Sequence, residues 1–105
     1  MNTTFDPVLF AKAISDDTRQ KIMSECCCCW ISVGDLAVKL EVSQPTVSHH
    51  LAILREAGLV NSRDEGKQTF YTLNQENIVI CCGQLMIKFA PETATTEKLI
   101  NVINQ

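Results

Sequence analysis

The pattern of apolar and polar positions predicts five helices, one hairpin and a short final helix. Apolar residues recur at the three- and four-residue spacings of amphipathic helices. In the first four helices the predicted buried positions are Val8, Leu9, Ala11 and Ile14, then Ile22, Met23 and Cys26, then Leu36, Ala37 and Leu40, and finally Val47, Leu51 and Leu54. The pattern therefore predicts a mainly helical chain.

Capping residues mark where the predicted helices begin and end. Asp6 stands directly before a proline and predicts the start of the first helix. Ser43 caps the fourth helix, and Pro45 lies in its first turn, where the missing N–H costs nothing. Gly58 ends that helix in a left-handed conformation, with Leu59 placed to pack back on the last turn.

Two extended segments after the fourth helix predict a hairpin. They cover about residues 60–63 and 69–73 and are joined by a polar loop over residues 64–68. A fifth helix follows from about Gln75 to Phe89. Apolar residues cover so much of its circumference that we expect burial on two sides, one in its own core and one against a partner subunit.

Residues 33–57 have the pattern of a helix-turn-helix. Two short helices are separated by three residues, and the small Ala37 lies where the helices must approach closely. The second helix of such a unit enters the major groove, and the hairpin, over about residues 59–73, can meet the DNA backbone or the minor groove. We therefore predict DNA contacts by Ser43, Gln44, Thr46, Ser48, His49, Arg55, Arg63, Lys67 and Gln68.

Charge and motif content limit the function classes. A net charge of −3 and the acidic Asp64 and Glu65 in the hairpin oppose DNA binding and would suit a protein-interaction module instead. A glycine-rich phosphate loop and a nucleophile–base–acid set are both missing from the sequence, so we do not expect an enzyme or an organic cofactor. The distribution of charge decides DNA binding more than its sum.

Six cysteines carry the most distinctive chemistry of the sequence: four are consecutive, Cys26–Cys29, and two are adjacent, Cys81 and Cys82. The N-terminus lacks an export signal, and no apolar run approaches the roughly 20 residues that span a bilayer. We therefore expect a cytoplasmic protein with no membrane contact. In a reducing compartment these cysteines are expected to be thiols for metal or redox chemistry, without disulfides.

Several segments resemble the ArsR/SmtB family. They are DTR at residues 17–19, SVGDLA at 32–37, SQPTVSHHL at 43–51 and LREAGLV at 54–60, with Tyr71 and Leu73 in the second hairpin strand. The resemblance covers about residues 8–73. It implies a homodimeric winged helix-turn-helix repressor, one domain over residues 1–105, that leaves double-stranded operator DNA when an inducer binds. It also implies a dimer interface formed by the first and fifth helices.

The inducer sites known in that family do not recur here. Many arsenic sensors of the family carry a Cys-Val-Cys-Asp-Leu box, but residues 32–36 are SVGDL, and the fifth helix lacks the Asp and His ligands of the zinc sensors. If the helix ends within the cysteine run, three thiolates can surround As(III) or Sb(III), which prefer three sulfurs. The predicted ligands are Cys26, Cys27, Cys28 and Cys29, with Cys81 and Cys82 less certain.

Two alternatives for the inducer stay open. Cd(II), Zn(II) or Pb(II) are also thiophilic, although Zn(II) and Cd(II) usually take four ligands. Persulfide and redox sensors of the family use one cysteine on the second helix and one on the fifth. In this chain Ser24 stands where the second-helix cysteine of such a sensor is expected.

Overall fold

The computed structural model describes residues 6–103 as six helices and a small antiparallel sheet. Within those residues no helix has the length and apolar character needed to cross a membrane. The elements are α1 (Pro7–Ile14), α2 (Asp17–Glu25), β1 (Ile31–Ser32), α3 (Val33–Leu40), α4 (Gln44–Glu56), β2 (Val60–Glu65), β3 (Gln68–Leu73), α5 (Gln75–Phe89) and α6 (Ala94–Ile103). This order, with α3 and α4 followed by a β2–β3 wing, is a winged helix-turn-helix.

The predicted helix boundaries are confirmed by their hydrogen bonds. The Asp6 carboxylate accepts the backbone N–H groups of Val8 and Leu9, each at 3.0 Å. Gly58 adopts the expected left-handed φ of 74° after the end of α4. Its N–H donates to the Arg55 carbonyl, and the Leu59 N–H donates to the Leu54 carbonyl, both at 2.9 Å. These two bonds satisfy carbonyls that would otherwise be unpaired at the helix end.

The core forms where α1, α2, α3 and α4 meet the sheet. Most predicted core positions of α2, α3 and α4 are confirmed, and on α1 Leu9 and Ile14 are partly buried as predicted, but the prediction is wrong for Val8 and Ala11. Phe10 and Ala13 are buried, while Val8 and Ala11 face outward. Because α1 is apolar around most of its circumference, spacing alone does not decide which side meets the core. The buried apolar residues are Phe10, Ala13, Ile22, Cys26, Ile31, Leu36, Ala37, Val47, Leu51, Leu54, Leu59 and Val60.

The sheet has three strands in the order β1-β3-β2, where the sequence predicted two. β1 pairs antiparallel with β3 through Ile31 opposite Tyr71 and Ser32 opposite Phe70. The wing strands are also longer than predicted, since pairing continues to Glu65 opposite Gln68. The five-residue loop expected between them is therefore a tight turn in which Gly66 has a φ of 65°.

Arg19 fixes the relative positions of α1, α2 and α4. Its guanidinium donates to the carbonyls of Ala13 at 2.7 Å and Lys12 at 3.1 Å, at the C-terminal end of α1. It also lies 3.0 Å from Nδ1 of His50 on α4. Because a guanidinium only donates, His50 accepts at Nδ1. His50 is thus a packing residue of the inner face of α4.

Candidate nucleic-acid interface and cysteine turn

The helix α4 presents the predicted DNA contacts to solvent. Gln44, Ser48 and His49 are exposed, while Val47 and Leu51 on the opposite side are fully buried. The helix start is rigid because the Ser43 hydroxyl accepts the Thr46 N–H at 3.2 Å and lies 2.8 Å from the Thr46 hydroxyl.

The wing lies beside the N-terminal half of α4. Gln44 and Ser48 of α4 line one open cleft together with Lys67, Gln68 and Thr69 of the wing turn and first β3 residues. Four of the residues predicted from sequence to contact DNA are therefore brought together. This cleft offers amide, hydroxyl and ammonium groups, which are donors suited to base edges and phosphates.

The acidic residues of the wing have partners inside it. The Asp64 carboxylate accepts the Thr69 hydroxyl at 2.9 Å, and a Glu65 carboxylate oxygen lies 2.9 Å from Nε of Arg63. Lys67 remains exposed at the wing turn, and Arg55 is exposed in the last turn of α4. These contacts orient the two carboxylates, but both remain exposed and negatively charged, so their opposition to DNA binding stands.

The segment 26–30, called the cysteine turn below, begins where α2 ends. The last helical residue is Glu25, and Cys26 caps the helix with its N–H donating to the Ile22 carbonyl at 3.0 Å. The side chain of Cys26 is completely buried in the core. Burial, together with the nearby Cys29 thiol, raises the pKa of Cys26 to about 11. Because its side chain is enclosed by the core, Cys26 is not accessible to an ion in this conformation.

Three of the four consecutive cysteines leave the core. Cys27 is half-buried, whereas Cys28 and Cys29 are exposed, and the Cys29 Sγ contacts the Glu25 carbonyl at 3.6 Å. Cys27 and Cys28 are joined as a disulfide, which corrects the expectation that every cysteine is a free thiol. The two residues are consecutive, so their Cα atoms are 3.8 Å apart, which is closer than in most disulfides.

The backbone of the cysteine turn is bonded to the base of the wing and to the start of α5. The Cys26 carbonyl accepts the Leu73 N–H at 2.9 Å and the Thr72 hydroxyl at 3.3 Å. The Cys27 carbonyl accepts the Gln75 side-chain amide at 2.7 Å. Movement of the turn therefore acts directly on the end of β3 and the first residue of α5.

The other two cysteines lie on α5 and face different surroundings. Cys81 lines a cavity with Phe10, and Cys82 lines a groove with Met23 of α2. Burial raises the pKa of the Cys81 thiol, with a further contribution from Cys82. Among residues 6–103, no three side chains of His, Cys, Asp or Glu are grouped as a metal site.

An apolar surface on α1 and α5 is uncovered. Val8 is 60% exposed and Phe89 is 74% exposed, and both line a shallow apolar groove between the two helices. Val79 and Ile80 of α5 are also exposed. Large apolar side chains in this number are usually covered by a partner.

Three contacts were not predicted from the sequence. Trp30 contacts the wing, and Thr72 and Gln75 contact the cysteine turn. The Arg63 guanidinium lies over the Trp30 ring, 4.5 Å from its centroid. A two-residue strand such as β1 is too short to show the alternation that identifies strands. The one available signal was a tryptophan and an isoleucine directly after the cysteines, since both favour extended structure.

Residues 16–62 match the family model described as bacterial regulatory protein, arsR family. The chain is 41% identical over 71 residues to the transcriptional activator HlyU of Vibrio cholerae, and 53% identical over 62 residues to the biofilm growth-associated repressor of Agrobacterium fabrum. Those matches cover 68% and 58% of this chain, and 66% and 53% of the relatives. The arsenical resistance operon repressor of Escherichia coli is 39% identical over 65% of this chain and 59% of that repressor.

Solved structures of such regulators share the fold. The reduced HlyU of Vibrio cholerae superposes with a TM-score of 0.64 at 37% identity, covering 79% of this chain and 86% of that one. An ArsR-like transcriptional regulator from Rhodococcus superposes with a TM-score of 0.74 at 25% identity, covering 92% of this chain and 89% of that one. The matches to HlyU and the Agrobacterium repressor span about half to two thirds of those relatives.

Proposed function

Because this chain belongs to the ArsR family of bacterial regulatory proteins, we propose that it is a homodimeric repressor released from operator DNA by trivalent arsenic or antimony. Its relatives are transcription regulators, and the chain is one of them and not an enzyme. The observation that carries the inducer proposal is the cysteine turn, where three consecutive cysteines leave the core at the end of a helix.

The proposed operator contacts lie on α4 and the wing. Gln44 and Ser48 reach base edges from the N-terminal half of α4, while Lys67 and Gln68 meet the backbone or minor groove from the wing. Shared lining of one cleft by these four residues supports this assignment. Arg55 and Arg63 bind phosphates, and Ser43, Thr46 and His49 lie at the edge of the same exposed surface.

The proposed dimer places two copies of α4 in successive major grooves, about 34 Å apart. The uncovered apolar residues of α1 and α5 support an interface on these helices. One domain then carries both functions, with the DNA interface in residues 33–57 and 59–73 and the dimer contact in α5.

The proposed inducer ligands are Cys27, Cys28 and Cys29. As(III) and Sb(III) take three sulfurs, and these cysteines supply three from a segment that is no longer helical. Cys26 is left out of the ligand set because its side chain is fully buried in the core. The E. coli relative is named as an arsenical resistance repressor, which supports the same class of inducer.

Binding requires the turn to change shape. A low-molecular-weight thiol must first reduce the Cys27–Cys28 disulfide, giving it two electrons and two protons and becoming a disulfide itself, and the three thiolates must then converge on one ion. To move the ratio of the released to the DNA-binding conformation from 1:99 to 99:1, a ligand must bind the released conformation more tightly by about 5.5 kcal/mol. Closure of the turn would disturb its bonds to Leu73 and Gln75 and thereby couple binding to DNA release.

The Cys27–Cys28 disulfide favours a second candidate function, a thiol-redox regulator. In this alternative a low-molecular-weight disulfide takes two electrons from the two thiols and is itself reduced to two thiols. Operator affinity would then differ between the reduced and oxidised proteins without any metalloid.

The test is a titration of As(III) against operator binding by the reduced protein. Replacing Cys27, Cys28 and Cys29 together with Ser is expected to leave operator affinity within about twofold and to abolish release, because no sulfur remains for the ion. The matched control replaces Cys81 and Cys82 with Ser and is expected to keep release. Unchanged release in the triple variant would refute the inducer site, and an equal loss of affinity on oxidation alone would favour the redox candidate.

A further inference from the structure

The wing is bonded to the cysteine turn more directly than α4 is. β1 continues the turn and pairs with β3, and the Cys26 carbonyl accepts hydrogen bonds from Leu73 and Thr72 at the C-terminal end of that strand. The helix-turn-helix is joined to α2 by the hydrogen bond between Arg19 and His50, at 3.0 Å, and by the exposed ion pair between Lys39 and Glu25, at 3.5 Å, but neither contact involves the turn itself. Exposed pairs of this kind contribute little and are screened by salt.

Trp30 and Arg63 lie on one face of the sheet, on either side of β3. Ser32 is opposite Phe70, and Phe70 is opposite Arg63, so these three side chains share a face. Trp30 is two residues before Ser32 and therefore lies on the same face, because side chains alternate along a strand. The contact of 4.5 Å between the guanidinium and the ring centroid agrees with this register.

The guanidinium of Arg63 lies over the Trp30 ring and keeps N–H groups that can reach a further partner. A guanidinium stacked flat on an aromatic ring leaves its N–H groups in the plane, where they can meet a carboxylate or a phosphate. In the structure Nε of Arg63 lies 2.9 Å from Glu65, and about half of the Arg63 side chain is exposed. A DNA phosphate can therefore bind the remaining N–H groups while Trp30 holds the plane in position.

We propose that Trp30 is a positioning residue that transmits the state of the cysteine turn to Arg63, so that the wing releases DNA when the turn closes. This inference rests on the proposed function and adds the route by which it is regulated. Trp30 directly follows Cys29, so closure of the three thiolates around an ion displaces the indole. Arg63 then loses its contact with the indole ring of Trp30 and its position at the DNA phosphate.

The test compares Trp30→Leu with Trp30→Phe in the reduced full chain. Losing the ring in both subunits of the dimer should weaken operator binding about 5- to 30-fold, which corresponds to two exposed cation–π contacts. The slope of log affinity against log salt should become about 1.8 less steep if one phosphate contact is lost in each subunit. Trp30→Phe keeps an aromatic face and is expected to restore the salt slope of the wild type.

A double-variant cycle with Arg63→Gln separates positioning from general damage. If Trp30 acts through Arg63, adding Trp30→Leu to Arg63→Gln should weaken binding by less than twofold. Fully multiplicative losses would overturn the proposal. Arg63 is exposed on a wing strand, so its variant tests the proposal even if Trp30→Leu does not fold.

Tryptophan fluorescence distinguishes failure of this route from failure of the proposed function. Trp30 is the only tryptophan, so its emission reports the turn alone. As(III) should protect Cys27–Cys29 from alkylation, shift the emission and release DNA. No protection would refute the proposed function. Protection and release with unchanged emission would refute only the route through Trp30.

Discussion

At the scale of single residues, the four consecutive cysteines show how backbone position separates identical side chains. Cys26 caps α2 and is fully buried, whereas Cys28 and Cys29 are exposed two and three residues later. Burial keeps the Cys26 thiol protonated and raises its pKa to about 11. The same residue type is therefore a core side chain at one position and a candidate ligand at the next.

The pH dependence of stability should reveal the role of Cys26. Its thiol ionises at about 8.5 in the unfolded chain and only near 11 in the fold. Its stabilising effect is therefore complete below the unfolded pKa and is lost as pH rises from about 8.5 to 11. We expect urea unfolding to show a difference between the wild type and Cys26→Ala that shrinks over this interval. A difference that stays constant to pH 11 would contradict this account.

A serine at the same position provides the matched comparison. Cys26→Ser is expected to lose about 1–3 kcal/mol at pH 7, because a hydroxyl would be buried in a site lined by apolar side chains. In the reduced protein, Cys28→Ser on the exposed part of the turn is expected to change the unfolding free energy by less than about 0.5 kcal/mol.

At the scale of elements, local chemistry predicted helix boundaries well because caps are local. Asp6, Ser43 and Gly58 each satisfy backbone groups within four residues, so the sequence contains the whole interaction. The strand β1 was missed because it depends on pairing with β3, about 40 residues later. The cap residues of the site could thus be predicted, whereas the contact between Trp30 and Arg63 could not.

Three Gly→Ala variants should change the free energy of unfolding with different signs, according to the backbone conformation of each glycine. Gly58 has a φ of 74°, and an added Cβ would lie 3.2 Å from the Asn77 amide nitrogen, so we expect a loss of about 1–2 kcal/mol. Gly66 has a similar φ of 65° but an open surrounding, so its loss should be smaller. Gly34 lies in the first turn of α3 with ordinary contacts, and alanine there should stabilise by less than about 1 kcal/mol.

Denaturant unfolding of the three variants would check this order. Equal effects at Gly58 and Gly66 would show that the contact with Asn77 adds nothing. A destabilising Gly34→Ala would contradict the view that Gly34 has an ordinary helical backbone with room for a methyl group.

At the scale of the whole molecule, the net charge of −3 does not by itself decide DNA binding. Asp64 and Glu65 have partners in the wing but remain exposed and negatively charged, and Lys67 is exposed there as well. The acidic total could be computed from the sequence, but the pairing of these carboxylates depends on strand register. The sequence also indicated a subunit interface, because apolar residues cover most of the circumference of α5. The exposed Val79, Ile80 and Phe89 support this interface.

The most direct test of the central claim measures mass and operator affinity of the reduced protein together, across a range of salt. The account predicts a dimer that binds duplex DNA at low ionic strength, with affinity falling steeply as salt rises because phosphate contacts release counterions. As(III) should remove this binding without dissociating the dimer. A monomer that ignores duplex DNA at low salt would contradict the account.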